Sequence, residues 1–177
     1  MNFTLEDLKD AMIHFSAIQS QGFTENCIVA LESIPHATGC GLNVSGLHTG
    51  KVHLNWSSVV NKNGYKEEKK FTEKGAEALS FLLAMEFTEY EILEEAEIGT
   101  GVDYWLGYGE DHEKYDQLNF LSARLEISGI LRETATNTFN KRISAKKKQT
   151  NASNSTGIPA YVSVIEFSKL KAHITKK

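Results

Sequence analysis

The chain contains few of the residues that identify several common classes of protein. It has two cysteines and two prolines among 177 residues, and neither Cys27 nor Cys40 has a partner cysteine or histidine at the spacing of a zinc site. Two cysteines are too few for a disulfide framework, so we expect reduced thiols. No apolar run approaches the roughly 18 residues of a membrane span, and the first residues are acidic where a signal peptide would be basic. We therefore expect a cytoplasmic protein without membrane association.

Positive charge is also scarce. The net charge of -4 argues against a chain held on nucleic acid by overall charge, so any such contact needs a local basic patch. The sequence has no phosphate-binding glycine loop and no G-x-S-x-G nucleophile motif. None of its six histidines belongs to an H-x-x-x-H pair. What the chain does have is 41% hydrophobic residues, enough for the core of one compact domain.

Residues 1 to 70 are predicted to form an N-terminal extension, a helix and a β-hairpin, that packs on the core of the domain. Apolar residues at helical spacing, with Thr4 just ahead of two acids, predict a first helix over residues 4 to 19. Residues 23 to 40 are ambiguous and are interpreted as a short helix followed by a loop. Alternating apolar residues over 42 to 56, on both sides of LHTG, predict a β-hairpin.

Residues 71 to 177 predict the core, in the order helix, strand, strand, strand, helix, strand. The helix that begins at Thr72 is apolar on nearly every side, which is typical of a helix buried between layers. The later elements are strands near residues 90 to 98, 102 to 108 and 123 to 131, a helix over 136 to 148 and a last strand over 160 to 167, with a flexible QTNASNSTG segment before that strand. The strand-helix-strand ending favours a parallel crossover, so we expect an α/β fold with a mixed central sheet.

Acidic residues on two neighbouring predicted strands are the candidates for chemistry. Side chains alternate faces along a strand, so Arg124, Glu126 and Ser128 should project together. Asp103, on the adjacent strand, could join Glu126 in holding Mg²⁺ or Mn²⁺, because these hard cations prefer oxygen ligands. A metal held there would activate a water molecule. Alternatively, each acid is a solvated residue on an exposed face of the sheet.

This element order, with Asp103 followed by a Glu-x-Ser motif at Glu126, resembles the core of the PD-(D/E)XK nuclease superfamily. The resemblance covers residues 72 to 168. It implies an α/β (α+β) fold with flanking helices, namely a restriction-endonuclease-like αβββαβ core to which the N-terminal helix and hairpin are added. It also implies that Asp103 and Glu126 are catalytic metal ligands, and that Glu77 or, alternatively, Glu73 supplies a further carboxylate from the preceding helix. These two glutamates could instead be the solvated side of that helix.

The sequence departs from the family motif at its lysine, where Ser128 stands. Some members supply this lysine from the following helix, so the resemblance assigns a catalytic role to Lys146 together with Ser128. We expect slow or absent cleavage unless Lys146 or Arg142 reaches the site from that helix. The same helix supplies the residues that we expect to contact a nucleic-acid backbone, which are Lys141, Arg142, Lys146 and Gln149. A merely solvated basic helix is the alternative.

Three functions are compatible with these patterns. The first is a metal-dependent, nuclease-like protein that acts on nucleic acid in a restriction, defence or mobile-element setting, with weak or lost catalysis. The second is a noncatalytic scaffold with the same fold, such as a subunit of a defence complex or an inhibitor of another protein. A protein partner or a homo-oligomer is also compatible with the sequence. The third is an unrelated α/β binding module. Asp103 and Glu126 should converge in the first two and diverge in the third.

Overall fold

A computed structural model describes residues 1–177, which form one eight-stranded sheet with helices on its faces. The strands are β1 (Asn2–Thr4), β2 (Cys40–Gly46), β3 (Gly50–Asn55), β4 (Glu91–Glu95), β5 (Tyr104–Gly107), β6 (Ala123–Ile130), β7 (Ala160–Glu166) and β8 (Lys171–Lys176). The helices are α1 (Leu8–Ala11), α2 (Ala17–Ser33), α3 (Glu68–Phe87) and α4 (Phe139–Gln149). The strand order in the sheet is β1-β3-β2-β8-β7-β6-β5-β4. The expected α/β fold with a mixed central sheet and flanking helices is therefore confirmed.

The second half of the chain follows the predicted order of elements. Strands β4, β5 and β6 are antiparallel neighbours, as their short connections indicated. Strand β6 pairs in parallel with β7 through the α4 crossover, which confirms the prediction for the strand-helix-strand ending. Asp103 lies immediately before β5 and not inside it as we expected, although its amide N–H still donates to the carbonyl of Leu125 at 2.9 Å.

The predicted first helix over residues 4 to 19 is wrong. Residues 2 to 4 form β1, which pairs in parallel with β3 at the edge of the sheet and so takes the start of this segment out of the helix. A 3₁₀ turn and the four-residue α1 follow. A new helix, α2, begins after Ser16, whose hydroxyl accepts a hydrogen bond from the Gln19 amide at 3.2 Å. The ambiguous stretch after residue 23 is thus mostly the second half of a long helix.

A second difference lies near residues 150 to 176. The segment that we expected to be flexible forms 3₁₀ turns over Thr150–Thr156. The strand over 160 to 167 is not the last one, because β8 follows it and pairs antiparallel with β7 and parallel with β2. Ala172 and Ile174 of β8 are buried. Strand β8 therefore joins the N-terminal hairpin β2–β3 to the rest of the sheet.

The helices cover the two faces of the sheet around β6 and β7. Helix α3, against which α2 packs, covers the face that carries Leu125 and Ile127. Helix α4 covers the opposite face, where a smaller apolar cluster includes Phe139 and Val162. The backbone of α3 lies so close to β6 that a Cβ atom on Gly129 would sit 2.5 Å from a backbone oxygen of α3. No helix of the chain is long and apolar enough to cross a membrane.

Candidate functional site

The face of β6 that lies under α4 carries three polar side chains, each paired with a residue of α4 or of the turns that follow it. This arrangement follows from the alternation of side chains along a strand, as the sequence predicted. The apolar residues between them point to the opposite face and pack in the main core. The three pairs are Arg124 with Ser153, Glu126 with Lys146, and Ser128 with Arg142.

Glu126 and Lys146 form the most buried ion pair of the chain. Glu126 is fully buried, and the Lys146 side chain is 16% exposed. Lys146 Nζ donates to Oε1 of Glu126, whereas Oε2 of the same carboxyl group is buried without a hydrogen-bond partner. Burial and the nearby Asp103 carboxylate raise the pKa of Glu126 to about 7. The Glu126 carboxyl group therefore holds a proton more tightly than an ordinary glutamate does. One of its two oxygens also has no hydrogen-bond partner.

Asp103 lies beside this pair, at the start of the neighbouring strand. Its Oδ2 accepts a hydrogen bond of 2.7 Å from the Ile127 amide. Burial raises the pKa of Asp103, and this hydrogen bond together with the Lys146 charge partly opposes that rise. The structure thus brings Asp103, Glu126 and Lys146 together, and we call these three residues the candidate site. No group of three or more acidic, histidine or cysteine side chains is arranged to hold a metal ion.

Glu77 approaches the candidate site from α3, whereas Glu73 does not. Glu77 accepts a hydrogen bond of 2.6 Å from the Tyr104 hydroxyl and contacts Lys74 Nζ at 2.8 Å. Burial raises the pKa of Glu77, the hydrogen bonds from Lys74 and Tyr104 oppose that rise, and the Asp103 charge adds a smaller further increase. Glu73 points to solvent and pairs weakly with Lys69 at 3.9 Å. Of the two glutamates named from the sequence, only Glu77 lies where its charge affects the candidate site.

A cavity of about 270 Å³ opens beside Asp103 and is lined also by Glu77, Glu95 and Gln149. The sequence did not identify Glu95, although its charge contributes to the raised pKa of Asp103. Glu95 lies opposite Tyr104 in the β4–β5 pairing. The register of the β4–β5 hairpin is the feature of the sequence that could have indicated Glu95. Gln149 lines this acidic cavity and therefore does not belong to a basic surface of α4.

The four residues of α4 that we expected to contact nucleic acid do not share one surface. Arg142 and Lys146 turn toward β6, where Arg142 also contacts Asn137 Oδ1 through Nε at 3.1 Å and Nη2 at 2.9 Å. Lys141 is exposed, and its ammonium donates to the Ala135 carbonyl at 3.2 Å. The sequence did not identify Asn137, because it precedes the helix and becomes a partner of Arg142 only through the turn before α4.

Two carboxylates of the candidate site are the kind of ligand that a hard divalent cation prefers, although no third ligand is arranged with them. Asp103 and Glu126 supply carboxylate oxygens, and the unpartnered Oε2 of Glu126 is a buried acceptor that a cation would satisfy. The Lys146 ammonium now partly neutralises this carboxylate. The chain matches no known family model, no curated protein and no solved structure. Its function must therefore be inferred from its own residues.

Proposed function

We propose that this chain is a divalent-metal-dependent phosphodiesterase that cleaves nucleic acid, built on a restriction-endonuclease-like core. The observation that carries the proposal is the buried pair of Glu126 and Lys146 beside Asp103. The groups are one acid just before β5, one acid on β6 and a lysine from the crossover helix, and some members of the PD-(D/E)XK superfamily, which the chain resembles, use such a set. The order of α3, β4, β5, β6, α4 and β7 also agrees with that resemblance.

Each residue of the candidate site has a role in this proposal. Asp103 and Glu126 would hold Mg²⁺ or Mn²⁺, with Glu77 adding negative charge from α3. When bound, the ion would supply Lewis acidity and an activated water molecule. Lys146 would offset the negative charge that develops on the phosphate, a contribution that a fixed ammonium makes and the Ser128 hydroxyl does not. In this arrangement Lys146 replaces the lysine that is absent at position 128.

The raised pKa of Glu126 makes the proposed activity pH-dependent. Since this pKa is about 7, a large fraction of the carboxyl groups is protonated at neutral pH. A carboxylate must lose its proton before it binds a cation. We therefore expect metal affinity and cleavage to increase as the pH rises through about 7.

A noncatalytic scaffold or protein-binding subunit is the second candidate, and one observation favours it. The acids near Asp103 are already hydrogen-bonded or ion-paired in part, and they do not form a three-ligand metal group. In such a protein the pair of Glu126 and Lys146 would only fix α4 on β6. The two candidates differ in whether the protein binds divalent ions and cleaves nucleic acid.

The deciding experiment is a cleavage assay with single-stranded and double-stranded DNA and RNA, in Mg²⁺ or Mn²⁺ and with chelator as a control. We expect wild-type cleavage that is abolished by the chelator and by Glu126→Gln. The matched control is Glu86→Gln, which changes an exposed acid of α3 and should cleave like wild type. Absence of cleavage on all four substrates, or cleavage that survives Glu126→Gln, would overturn the proposal in favour of the scaffold.

A further inference from the structure

A second cavity, of about 480 Å³, lies near the carboxyl end of β6, between the start of α3 and the start of α4. We call it the Thr72 cavity, and it is lined in part by Thr72, Ser128, Asn137 and Arg142. It shares none of its lining residues with the cavity beside Asp103. The carboxyl ends of parallel strands, such as β6 and β7, are a common location for ligand-binding crevices.

Arg142 is the positive group of the Thr72 cavity that has no acidic partner. Its Nε and Nη2 donate to the neutral Asn137 side chain, and its Nη1 donates to the Ser128 hydroxyl at 3.3 Å. A guanidinium has further N–H groups beyond these three. Asn137 therefore fixes the orientation of Arg142 without neutralising it, which is the state of an arginine prepared to bind an anion.

The other charges around the cavity are nearly balanced. Glu68 lies 3.7 Å from Arg132 and Glu73 lies 3.9 Å from Lys69. All four of these residues line the cavity, and their charges cancel. The charge of Arg142 remains, so the cavity as a whole favours a negatively charged ligand.

Thr72 provides an independent indication of a ligand. It is 5% exposed, and its hydroxyl oxygen is buried without a hydrogen-bond partner. An unpaired buried hydroxyl destabilises the folded protein, and a ligand that bonded to it would remove this penalty. The carbonyl of Thr72 faces Gly129 at the close contact between α3 and β6.

We propose that the Thr72 cavity binds a phosphate group at the edge of β6 beyond Leu125, where β5 no longer pairs with this strand. The Arg142 guanidinium and the Ser128 hydroxyl hold the phosphate from the α4 side of this edge, and the Thr72 hydroxyl holds it from the α3 side. The assignment of that phosphate to a nucleic-acid strand rests on the proposed function. Ser128 follows Glu126 by two residues on the same face of β6, a separation of about 7 Å. A strand whose scissile phosphate lies at the candidate site would therefore place a neighbouring phosphate at the cavity.

The test measures binding of inorganic phosphate and of a short single-stranded oligonucleotide, with chelator present to prevent cleavage. We expect Thr72→Val to weaken both by about tenfold and Arg142→Gln by about tenfold to a hundredfold, which are the losses for charge-assisted hydrogen bonds. Lys141→Gln is the matched control, since this lysine lies next to Arg142, is exposed and does not line the cavity. It should change phosphate binding by less than about twofold.

Thr72→Val also separates a binding role from a structural one. Valine has nearly the same shape, so the variant should melt at a higher temperature than wild type without ligand, because an unpaired hydroxyl is removed. Higher stability together with weaker phosphate binding supports the proposal. No measurable binding of inorganic phosphate by wild type, or wild-type phosphate affinity in both Thr72→Val and Arg142→Gln, would overturn it.

Failure of this inference can be distinguished from failure of the proposed function. Glu126→Gln should abolish cleavage and leave phosphate binding intact. If wild type does not cleave but Thr72→Val still weakens phosphate binding, the cavity is a phosphate site and the nuclease proposal fails alone. If phosphate binding depends on Thr72 but oligonucleotide binding does not, the phosphate site is supported and its assignment to a polymer is overturned.

Discussion

Lys146 and Glu126 form an ion pair between the middle of α4 and the middle of β6, 20 positions apart in the sequence. Lys146 pairs with one oxygen of Glu126, and the other oxygen is buried with no hydrogen-bond partner. The pair therefore stabilises the contact of α4 with the sheet and leaves one unsatisfied acceptor at the candidate site. The pair also places an ammonium group beside Glu126, although position 128, where the family motif has a lysine, is a serine.

Lys146→Met should separate these two roles. Methionine keeps most of the aliphatic stem but removes the charge, so Glu126 becomes a buried acid without a partner. We expect a loss of stability on the order of 3 kcal/mol at pH 8, and a smaller loss at pH 6, where Glu126 takes up a proton. If the proposed function holds, cleavage should fall by about a hundredfold or more. Chemical denaturation and the cleavage assay measure the two effects.

The matched control for this prediction is Lys148→Met, which removes an exposed charge from the same helix. It should change stability by less than about 0.5 kcal/mol. Cleavage that is equally strong in both variants would show that Lys146 is not the catalytic cation.

The pKa of Glu126 predicts how stability changes with pH. Its value is about 7 against an ordinary 4.5, so the folded protein holds this proton more tightly than the unfolded chain. The stabilisation is complete below pH 4.5, falls as the pH rises, and is absent above about 7. Relative to Glu126→Gln, wild type should lose roughly 3 kcal/mol across this interval. Urea denaturation of both proteins at several pH values measures the difference, and a constant difference would contradict it.

Divalent ions should stabilise the folded protein through the candidate site. Mn²⁺ should raise the melting temperature of wild type, more at pH 8 than at pH 6, because Glu126 must be ionised to bind it. The rise should disappear in Asp103→Asn and Glu126→Gln. Asparagine can still accept the hydrogen bond from the Ile127 amide, so the fold should persist. An equal rise in these variants would locate the ion elsewhere, and Glu86→Gln should behave like wild type.

Ser128→Lys should not restore a better active site. Ser128 is 8% exposed and its hydroxyl lies 3.3 Å from Nη1 of Arg142. A lysine here would bury a second cation against a guanidinium, so we expect a lower melting temperature and no increase in cleavage. Ser144→Lys, at an exposed position of α4, is the control. Stronger cleavage in Ser128→Lys would instead indicate that the wild-type site lacks a working lysine.

The sequence predicted the main features that bring the acids together, because these features depend on local patterns. Two-residue alternation placed Glu126 and Ser128 on one face, and short connections made β5 and β6 neighbours. The partner of Glu126 could not be predicted in the same way. Lys146 and Arg142 are one helical turn apart, and which of them meets Glu126 depends on how far α4 slides along β6 when it packs. That position is fixed by apolar contacts such as those of Phe139.

Strand β8 was missed for a different physical reason. Its sequence, KAHITK, has charged ends and only two strongly apolar positions, Ala172 and Ile174, so it lacks the composition of a buried strand. Its place in the sheet comes from pairing with β7 on one side and β2 on the other. The error at the first helix is similar, since β1 forms by pairing with β3. Long-range pairing overrode the local signal in both cases.

Because β8 lies between β7 and β2 in the sheet, β2 cannot complete its pairing until β8 is in place. Ser45 and Ala172 are hydrogen-bonded although 127 positions separate them, and such distant pairings form slowly. During synthesis the β2 edge of the hairpin β2–β3 has no partner until β8 has left the ribosome. In the refolding full-length chain, slow pairing of β2 with β8 would appear in pulse-labelled hydrogen exchange as late protection of β2. An unpaired strand edge is a template for pairing with other chains. The nascent protein is therefore most prone to aggregate through β2, at a surface that the native fold hides completely.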